Sequence, residues 1–325
     1  MKKIAVILLN LGGPDSQKSV QNFLFNLFYD PAIIPLPSLF RFPLAKFLSS
    51  RRAPTSRAIY AKLGGSSPIL KNTQAQAQAL EKTLNETPSD TQYKIFIAMR
   101  YGPPFADETA IAVKEYAPDD IILLSLYPQF SYVTTQSSIF DWQRAAKKQR
   151  LKLKITAICN YPEEKGFIQT LSASISHAYE EALPFGKPRL LLSAHGLPEA
   201  NVKAGDPYPA QCLKTAIAVQ KELAIDDLDS VLCFQSRVGR QKWITPSTES
   251  EIYRAGQDKV PVIIAPISFV SDHAETLVEI DIDYRAWAQR CGVPFFTRVP
   301  TVGTAPAFIS GLAQMLREAV AREPD

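Results

Sequence analysis

Val262-Ile263-Ile264-Ala265-Pro266-Ile267 reads as a short buried strand, and the stretch from Ser271-Asp272-His273 to Asp283 that follows reads as a helix. The first run is apolar throughout, as a strand covered on both faces must be. In the second, Ser271 or Asp272 can cap a helix N-terminus. Beyond the cap Glu275, Glu279 and Asp283 recur every four residues, which stacks three carboxylates along one helix face. Like charges at that spacing destabilise an isolated helix by roughly a few tenths of a kcal/mol per pair. Five acids and one histidine, with no Lys or Arg, lie between Asp272 and Tyr284. Such a row is either a solvated acidic face or a path for a hard or borderline divalent cation, for which oxygen and imidazole are suitable ligands.

A buried strand passing directly into a helix is one unit of an α/β fold, and the unit recurs. Strand-type runs occur at 4–9, 94–99, 121–126, 153–158, 190–194, 230–234, 260–264 and 293–298. Stretches with helical periodicity or composition separate most of them, at 16–29, 72–85, 105–116, 135–149, 163–183, 209–224 and 247–255, with a last one at 305–322. Wholly apolar strands alternating with helices mean parallel sheets covered on both faces. Four strands fall before residue 160 and four after. The fold class expected is therefore α/β, with two similar doubly wound domains, each a four-stranded parallel sheet flanked by helices. The boundary falls near Asn160-Tyr161-Pro162, giving domains 1–160 and 161–325, with the last helix packing back on the first half. Ligands of such sheets sit at the carboxyl ends of the strands.

With 325 residues and a formal net charge of +4, the chain can bury a large core and is too balanced to argue for nucleic acid. The charge is uneven, however. Residues 31–80 carry Arg41, Lys46, Arg51, Arg52, Arg57, Lys62 and Lys71 and no acid, so one region suits anions and 272–283 suits cations. No apolar run approaches the ~18–20 residues of a membrane span. Cys159, Cys212, Cys233 and Cys291 form no C-x-x-C pair, as expected of a reduced cytoplasmic chain.

The strand ends carry the unusual residues. Asn10-Leu11-Gly12-Gly13-Pro14-Asp15 is a glycine turn that does not match G-x-G-x-x-G, so no nucleotide is expected. Residues 31–52 form a lip in which Leu36, Leu39, Phe40, Phe42, Phe47 and Leu48 are broken up by Pro35, Pro37 and Pro43 and followed by Arg51-Arg52. Proline density argues against a regular core element there. Met99-Arg100-Tyr101 and Leu126-Tyr127-Pro128-Gln129 put aromatics at strand ends, where either a flat ligand or the core can use them. Two of the three histidines, His195 and His273, end strands in the second half, one of them leading the carboxylate row, whereas His177 sits in a polar helical pattern.

Ser193-Ala194-His195-Gly196-Leu197-Pro198, Gly205-Asp206-Pro207-Tyr208-Pro209, Gln235-Ser236-x-Val238-Gly239-x-x-x-Trp243 and Phe269-x-Ser271-Asp272-His273-x-Glu275-Thr276-Leu277-x-Glu279-x-Asp281 together resemble the ferrochelatase family. Asn10–Pro14, Arg51-Arg52, Ser67-Pro68 and Tyr127-Pro128-Gln129 match as well, so the likeness runs in order along nearly the whole chain. It implies a chelatase-like fold and insertion of Fe²⁺, as substrate, into protoporphyrin IX with release of two protons. Position by position, it implies that His195 and Glu275 are catalytic and that His195, Glu275, Glu279 and Asp283 handle the metal. Asp272 and His273 lie at the mouth of the row. Leu11, Arg52, Tyr60, Ser67, Arg100, Tyr101 and Trp243 match positions facing the macrocycle or its propionates. Some members bind a [2Fe–2S] cluster through cysteines, but Tyr132 occupies one such position and no cysteine follows Cys291, so no cluster is expected. The apolar lip and the Asn-Leu-Gly-Gly-Pro turn resemble the protoporphyrin-using branch and suggest peripheral contact with the inner face of a membrane.

The chemistry suits these residue types. Metalation removes two N–H protons from a rigid ring, and a histidine with its ordinary pKa of ~6.5 is a base near neutrality. A neighbouring carboxylate can share the proton or hand over the metal. Three other readings stand beside this one: a coproporphyrin III ferrochelatase, a corrin-pathway cobaltochelatase and a non-catalytic bilobal carrier of haem or metal. The cobaltochelatase would require a more basic, polar approach than this apolar lip, and the carrier would need no base.

Overall fold

Eight parallel strands in two sheets make the frame of the chain, for which the computed structural model describes residues 1–237, 239 and 241–321. The first sheet holds β1 (Lys2–Asn10), β2 (Thr91–Met99), β3 (Asp120–Ser125) and β4 (Ile155–Ile158) in the order β2-β1-β3-β4. The second holds β5 (Arg189–His195), β6 (Ser230–Gln235), β7 (Val262–Pro266) and β8 (Phe296–Arg298) in the order β6-β5-β7-β8, the same pattern. Every pairing is parallel, and all eight strand runs read from the sequence are strands with shifted ends. Central β1 and β7 are buried from Ile4 to Leu9 and from Val262 to Pro266, which is why their sequences do not alternate. Edge strand β4 is only partly covered.

Helices α1 (Val20–Tyr29), α2 (Ser38–Ala61), α3 (Ile69–Asn85), α4 (Ala106–Tyr116) and α5 (Ser137–Lys148) accompany the first sheet. In the second half come α6 (Lys165–Ala182), α7 (Glu199–Lys203), α8 (Tyr208–Leu223), α9 (Thr248–Asp258), α10 (Arg285–Cys291) and α11 (Pro306–Ala321). The chain divides into two compact units, Met1–Asn160 with the chain from Leu312 onward, and Tyr161–Gly311. Each has its own core. In the first, Trp142 and the small residues of α4 and α5 pack on β1 and β3; in the second, Ile252, Ile280 and Tyr284 pack on β5 and β7. Arg317, near the chain end, donates to the Thr83 carbonyl of the first unit at 2.9 Å.

Three local expectations need correction. The lip is not broken: from Ser38 it is a continuous 24-residue helix with Pro43 and Pro54 inside it. Its cost is reduced because Pro37 stands at the N-cap, Pro43 lies near the start, and the missing donors of each proline fall among exposed turns. Secondly, the acidic stretch is not an α-helix capped by Ser271 or Asp272. Glu275–Tyr284 is a π-helix whose N-cap is Ala274, and Asp272 instead accepts the Thr276 hydroxyl at 2.9 Å. A second, five-residue π-helix, Tyr132–Gln136, starts what sequence periodicity placed in one α-helix from 135. Val238, Arg240 and Arg322, which fall in the quoted motif and the last helical stretch, lie outside the described residues.

Candidate active site

His195 is the last residue of β5, where the strand's hydrogen-bonding ends and its side chain turns out of the sheet. Its backbone N–H donates to Ser268 Oγ at 3.0 Å, and Gly196 gives its N–H to the Gln235 carbonyl at 2.8 Å. Gly196 is required for what lies behind it: a Cβ there would come within 3.2 Å of the Trp243 ring and 2.7 Å of that carbonyl. Trp243 is held beside the histidine loop by a bridge to Pro198.

The imidazole Nδ1 lies 2.9 Å from Glu275 Oε2. His273, buried against the Phe269 ring at 4.5 Å, points Nε2 at the same oxygen from 3.6 Å. Burial pulls the His195 pKa down, but the charge and hydrogen bond of Glu275 and the charge of Glu279 outweigh it and leave it raised. The open side of the ring, whose side chain is 41 % exposed, explains why the carboxylates win. For Glu275 burial acts upward, yet the charges and hydrogen bonds of His195 and His273 hold the carboxyl well below the usual range. An ionised Glu275 accepts, so Nδ1 carries the hydrogen and Nε2 keeps its lone pair. That nitrogen can take a proton or a metal ion. Among the described residues, the side-chain bonds that hold Glu275 use Oε2.

Glu279 is held differently. Its Oε1 accepts the Ser236 N–H at 2.8 Å and the Tyr284 hydroxyl at 2.9 Å; its Oε2 accepts Ser236 Oγ at 2.5 Å and Gln235 Nε2 at 3.3 Å. Burial and the charge of Glu275 raise its pKa against the Ser236 and Tyr284 bonds. Two acids of the stretch share one cation: Arg298 donates to Asp272 at 3.0 Å and to Asp281 at 2.9 Å. Asp283 is exposed further along. Among the described residues no set of three or more His, Cys, Asp or Glu is arranged to hold a metal ion. Thus His195, Glu275 and His273 come together, while Glu279 and Asp283 are not gathered into one ligand set with them.

Within the first unit, Leu11, Ser67, Arg100 and Tyr101, four of the residues matched to the macrocycle, lie around the ends of β1 and β2. The Tyr101 N–H donates to the Leu11 carbonyl at 2.9 Å, and the Ser67 N–H to the Pro14 carbonyl at 2.8 Å. Gly12 has φ 79°, and a Cβ on it would lie 2.9 Å from the Gly102 nitrogen, so the two loops touch only because it is glycine. Arg52 and Tyr60 lie on α2, the first half-buried and the second buried. Arg100 and Tyr101 have an unforeseen partner. Asp30, buried after α1, accepts Arg100 Nη2 at 2.7 Å, the Tyr101 hydroxyl at 2.8 Å, the Ala32 N–H at 2.8 Å and the Ser137 hydroxyl. Tyr101 is only 1 % exposed, so its hydroxyl serves Asp30 and its ring lies under Arg100. His177, paired with Glu181 on an exposed helix face, is solvated as its pattern suggested.

Ser236, Gln235, Tyr284, Arg298, Ser268 and Asp30 are the residues that sequence reasoning gave no role. Gln235 and Ser236 had a signal, since they stand at a strand end in a quoted motif. Asp30 had none, being 70 positions from Arg100 in the chain.

A family profile described as Ferrochelatase matches residues 3–320. A "Ferrochelatase" of Wolbachia sp. subsp. Drosophila simulans (strain wRi) is 51 % identical over 315 residues, covering 97 % of this chain and 98 % of the relative. One from Pelagibacter ubique (strain HTCC1062) is 47 % identical over 316 residues, covering 97 % and 91 %. Among solved structures, SirB from Bacillus subtilis with Fe³⁺ is similar in fold, with a TM-score of 0.55 at 12 % identity over 99 % of this chain and 96 % of that one.

Proposed function

The chain belongs to the ferrochelatase family, enzymes that insert metal into a porphyrin, and from that premise we propose that it converts protoporphyrin IX and Fe²⁺ to protohaem and two protons, with His195 as base and Glu275 as its carboxylate partner. One observation carries the assignment of roles: the 2.9 Å bond from His195 Nδ1 to Glu275 leaves Nε2 free at the carboxyl end of a central strand. A pyrrole N–H proton goes to Nε2, and the ionised Glu275 stabilises the imidazolium that forms. Holding the ring in a shape nearer the transition state than the flat product exposes its nitrogen lone pairs to the metal. Iron gains four nitrogen ligands as both pyrrole protons leave, so charge balances without any redox step. Metal insertion of this kind is lyase chemistry.

Leu11, Arg52, Tyr60, Ser67 and Trp243 bind the macrocycle in this reading, and His195 and Glu275 receive the metal. Arg100 and Tyr101 act from a neutral, Asp30-paired node rather than as free donors. The enzyme works in the cytoplasm and touches the inner face of the membrane through 31–52. It uses no iron–sulfur cluster. Supporting this, Cys159, Cys212, Cys233 and Cys291 are scattered along the chain with no closely spaced pair; a stoichiometric acid-labile sulfide would end that part. The principal test follows the porphyrin spectrum anaerobically with Fe²⁺ and, in parallel, protoporphyrin IX or coproporphyrin III. Faster turnover of protoporphyrin is expected. Preference for the coproporphyrin would reverse the substrate assignment, and tight metalloporphyrin binding without turnover would favour a carrier.

A further inference from the structure

Ser236, directly after β6, has φ 63°, a left-handed conformation that serine seldom adopts. That conformation turns both of its donors onto Glu279, N–H to Oε1 and Oγ to Oε2. With Tyr284 and Gln235, four donors meet one carboxylate. A carboxylate offers about four lone-pair sites, so among the described residues those of Glu279 are taken. A divalent ion needs such a lone pair and is repelled by the hydrogens that point at it. Glu279 can therefore ligate only after a donor leaves.

The donors are not equally able to leave. Gln235 is fully buried and tied through Oε1 to the Ser193 hydroxyl at 2.9 Å. Tyr284 is part of the second unit's core. Ser236 is half-buried, stands in the loop past the strand, and adopts a conformation disfavoured for its side chain. We propose that Ser236 is a positioning residue that decides whether Glu279 is available to the incoming metal. Seated, it parks the carboxylate; displaced, it opens Oε2 one step along the π-helix from Glu275. This rests on the reading in which metal is received at His195 and Glu275.

The test is Ser236→Gly, which suits φ 63°, keeps the N–H bond and deletes only the Oγ donor. Co²⁺ binding to porphyrin-free enzyme, measured by titration calorimetry, should tighten roughly tenfold, the scale of one hydrogen bond to a charged group. The apparent KM for Fe²⁺ should fall in parallel. Both gains should vanish in the Ser236→Gly/Glu279→Gln double variant, whereas mere loosening of structure would weaken metal binding. If Ser236→Gly leaves Co²⁺ affinity unchanged or weaker while Glu279→Gln weakens it, the parking role is wrong and Glu279 remains a ligand. If Glu279→Gln changes neither Co²⁺ affinity nor the Fe²⁺ dependence, the inference fails together with the placing of metal on this row.

Discussion

Both halves of the molecule have the same strand order, and both place a π-helix after their third strand, yet they spend their charges in opposite ways. The first π-helix, Tyr132–Gln136, is five residues long and uncharged; the second, Glu275–Tyr284, is ten residues long and carries four acids. The first half ends β1 on Asn10, whose side chain donates to Thr73 and accepts from Leu11. The second ends β5 on His195, which keeps one ring nitrogen open. At the next strand end, Arg100 and Asp30 cancel each other inside the first unit. After β7 in the second, among the described residues, Glu275 keeps Oε1 outside its hydrogen bonds and His273 Nδ1 is buried without a hydrogen-bond partner. The same scaffold thus carries a closed polar node in one half and an open one in the other.

The sharpest way to break that contrast is His195→Ala. Loss of a general base should lower kcat by ~10²–10⁴ while folding and porphyrin binding persist. Retention of more than about a tenth of the rate would remove His195 from the chemistry. The matching change in the first half is Asp30→Asn, which keeps the shape but leaves the half-buried Arg100 without its charge partner. Breaking such a pair costs about 3–5 kcal/mol, visible as a lower urea midpoint. The Asp30→Asn/Arg100→Met double variant should recover much of it. If the single variant loses under about 1 kcal/mol but most of its activity, the first node is chemical and the contrast collapses.

Glu275→Gln sharpens the second node through pH. His195 must be neutral to accept a proton, and its raised pKa keeps it protonated to higher pH than usual. The acid limb of kcat/KM for the wild type should therefore lie above ~6.5. Removing that carboxylate charge leaves burial opposed by the Glu279 charge only, so the limb of the variant should move to lower pH even as the rate falls. A limb that stays in place would mean that another group, such as His273, governs it.

The fold was legible because each buried parallel strand is a continuous apolar run such as Ile4–Leu9 or Val262–Ala265, a pattern needing no partner to be read. The places of His195 and Glu275 in the fold were legible too, one ending such a run and the other spaced from its neighbours like a helix face. The π-helix was not, because a repeat of four fits both the 3.6-residue α-turn and the wider i→i+5 turn. Nor could the pattern show that Arg298, beyond α10, pairs with both Asp272 and Asp281, or that Glu279 spends lone pairs on Ser236. Those pairings depend on how strands lie side by side. The α2 helix was hidden for a local reason: Pro35, Pro37 and Pro43 read as breaks, but the first two precede the helix and Pro43 falls near its start.

The smallest effect expected lies on α2. Leu39, Phe40 and Phe47 are 78 %, 63 % and 62 % exposed, and with Pro43 they form an apolar stripe. Phe42 is less free, since its ring packs edge-on to Phe25 at 5.5 Å and Tyr29 at 5.9 Å. Lys46 and Arg51 are exposed on the same helix. An apolar side chain fully buried in the membrane interface contributes about 1.5–3 kcal/mol, and a basic one near anionic headgroups about 1 kcal/mol. Two or three partly inserted side chains therefore suffice for reversible attachment, and no helix among the described residues is long and apolar enough to cross a membrane. Replacing Leu39, Phe40 and Phe47 by Ser should reduce co-sedimentation with anionic liposomes and slow turnover of lipid-dissolved porphyrin a few-fold, while detergent-solubilised porphyrin is used as before. Because these side chains already face solvent, the variant should lose little stability. Undiminished sedimentation would leave the stripe as a wall of the porphyrin site, and an equal loss with both substrate forms would assign it to binding the ring itself.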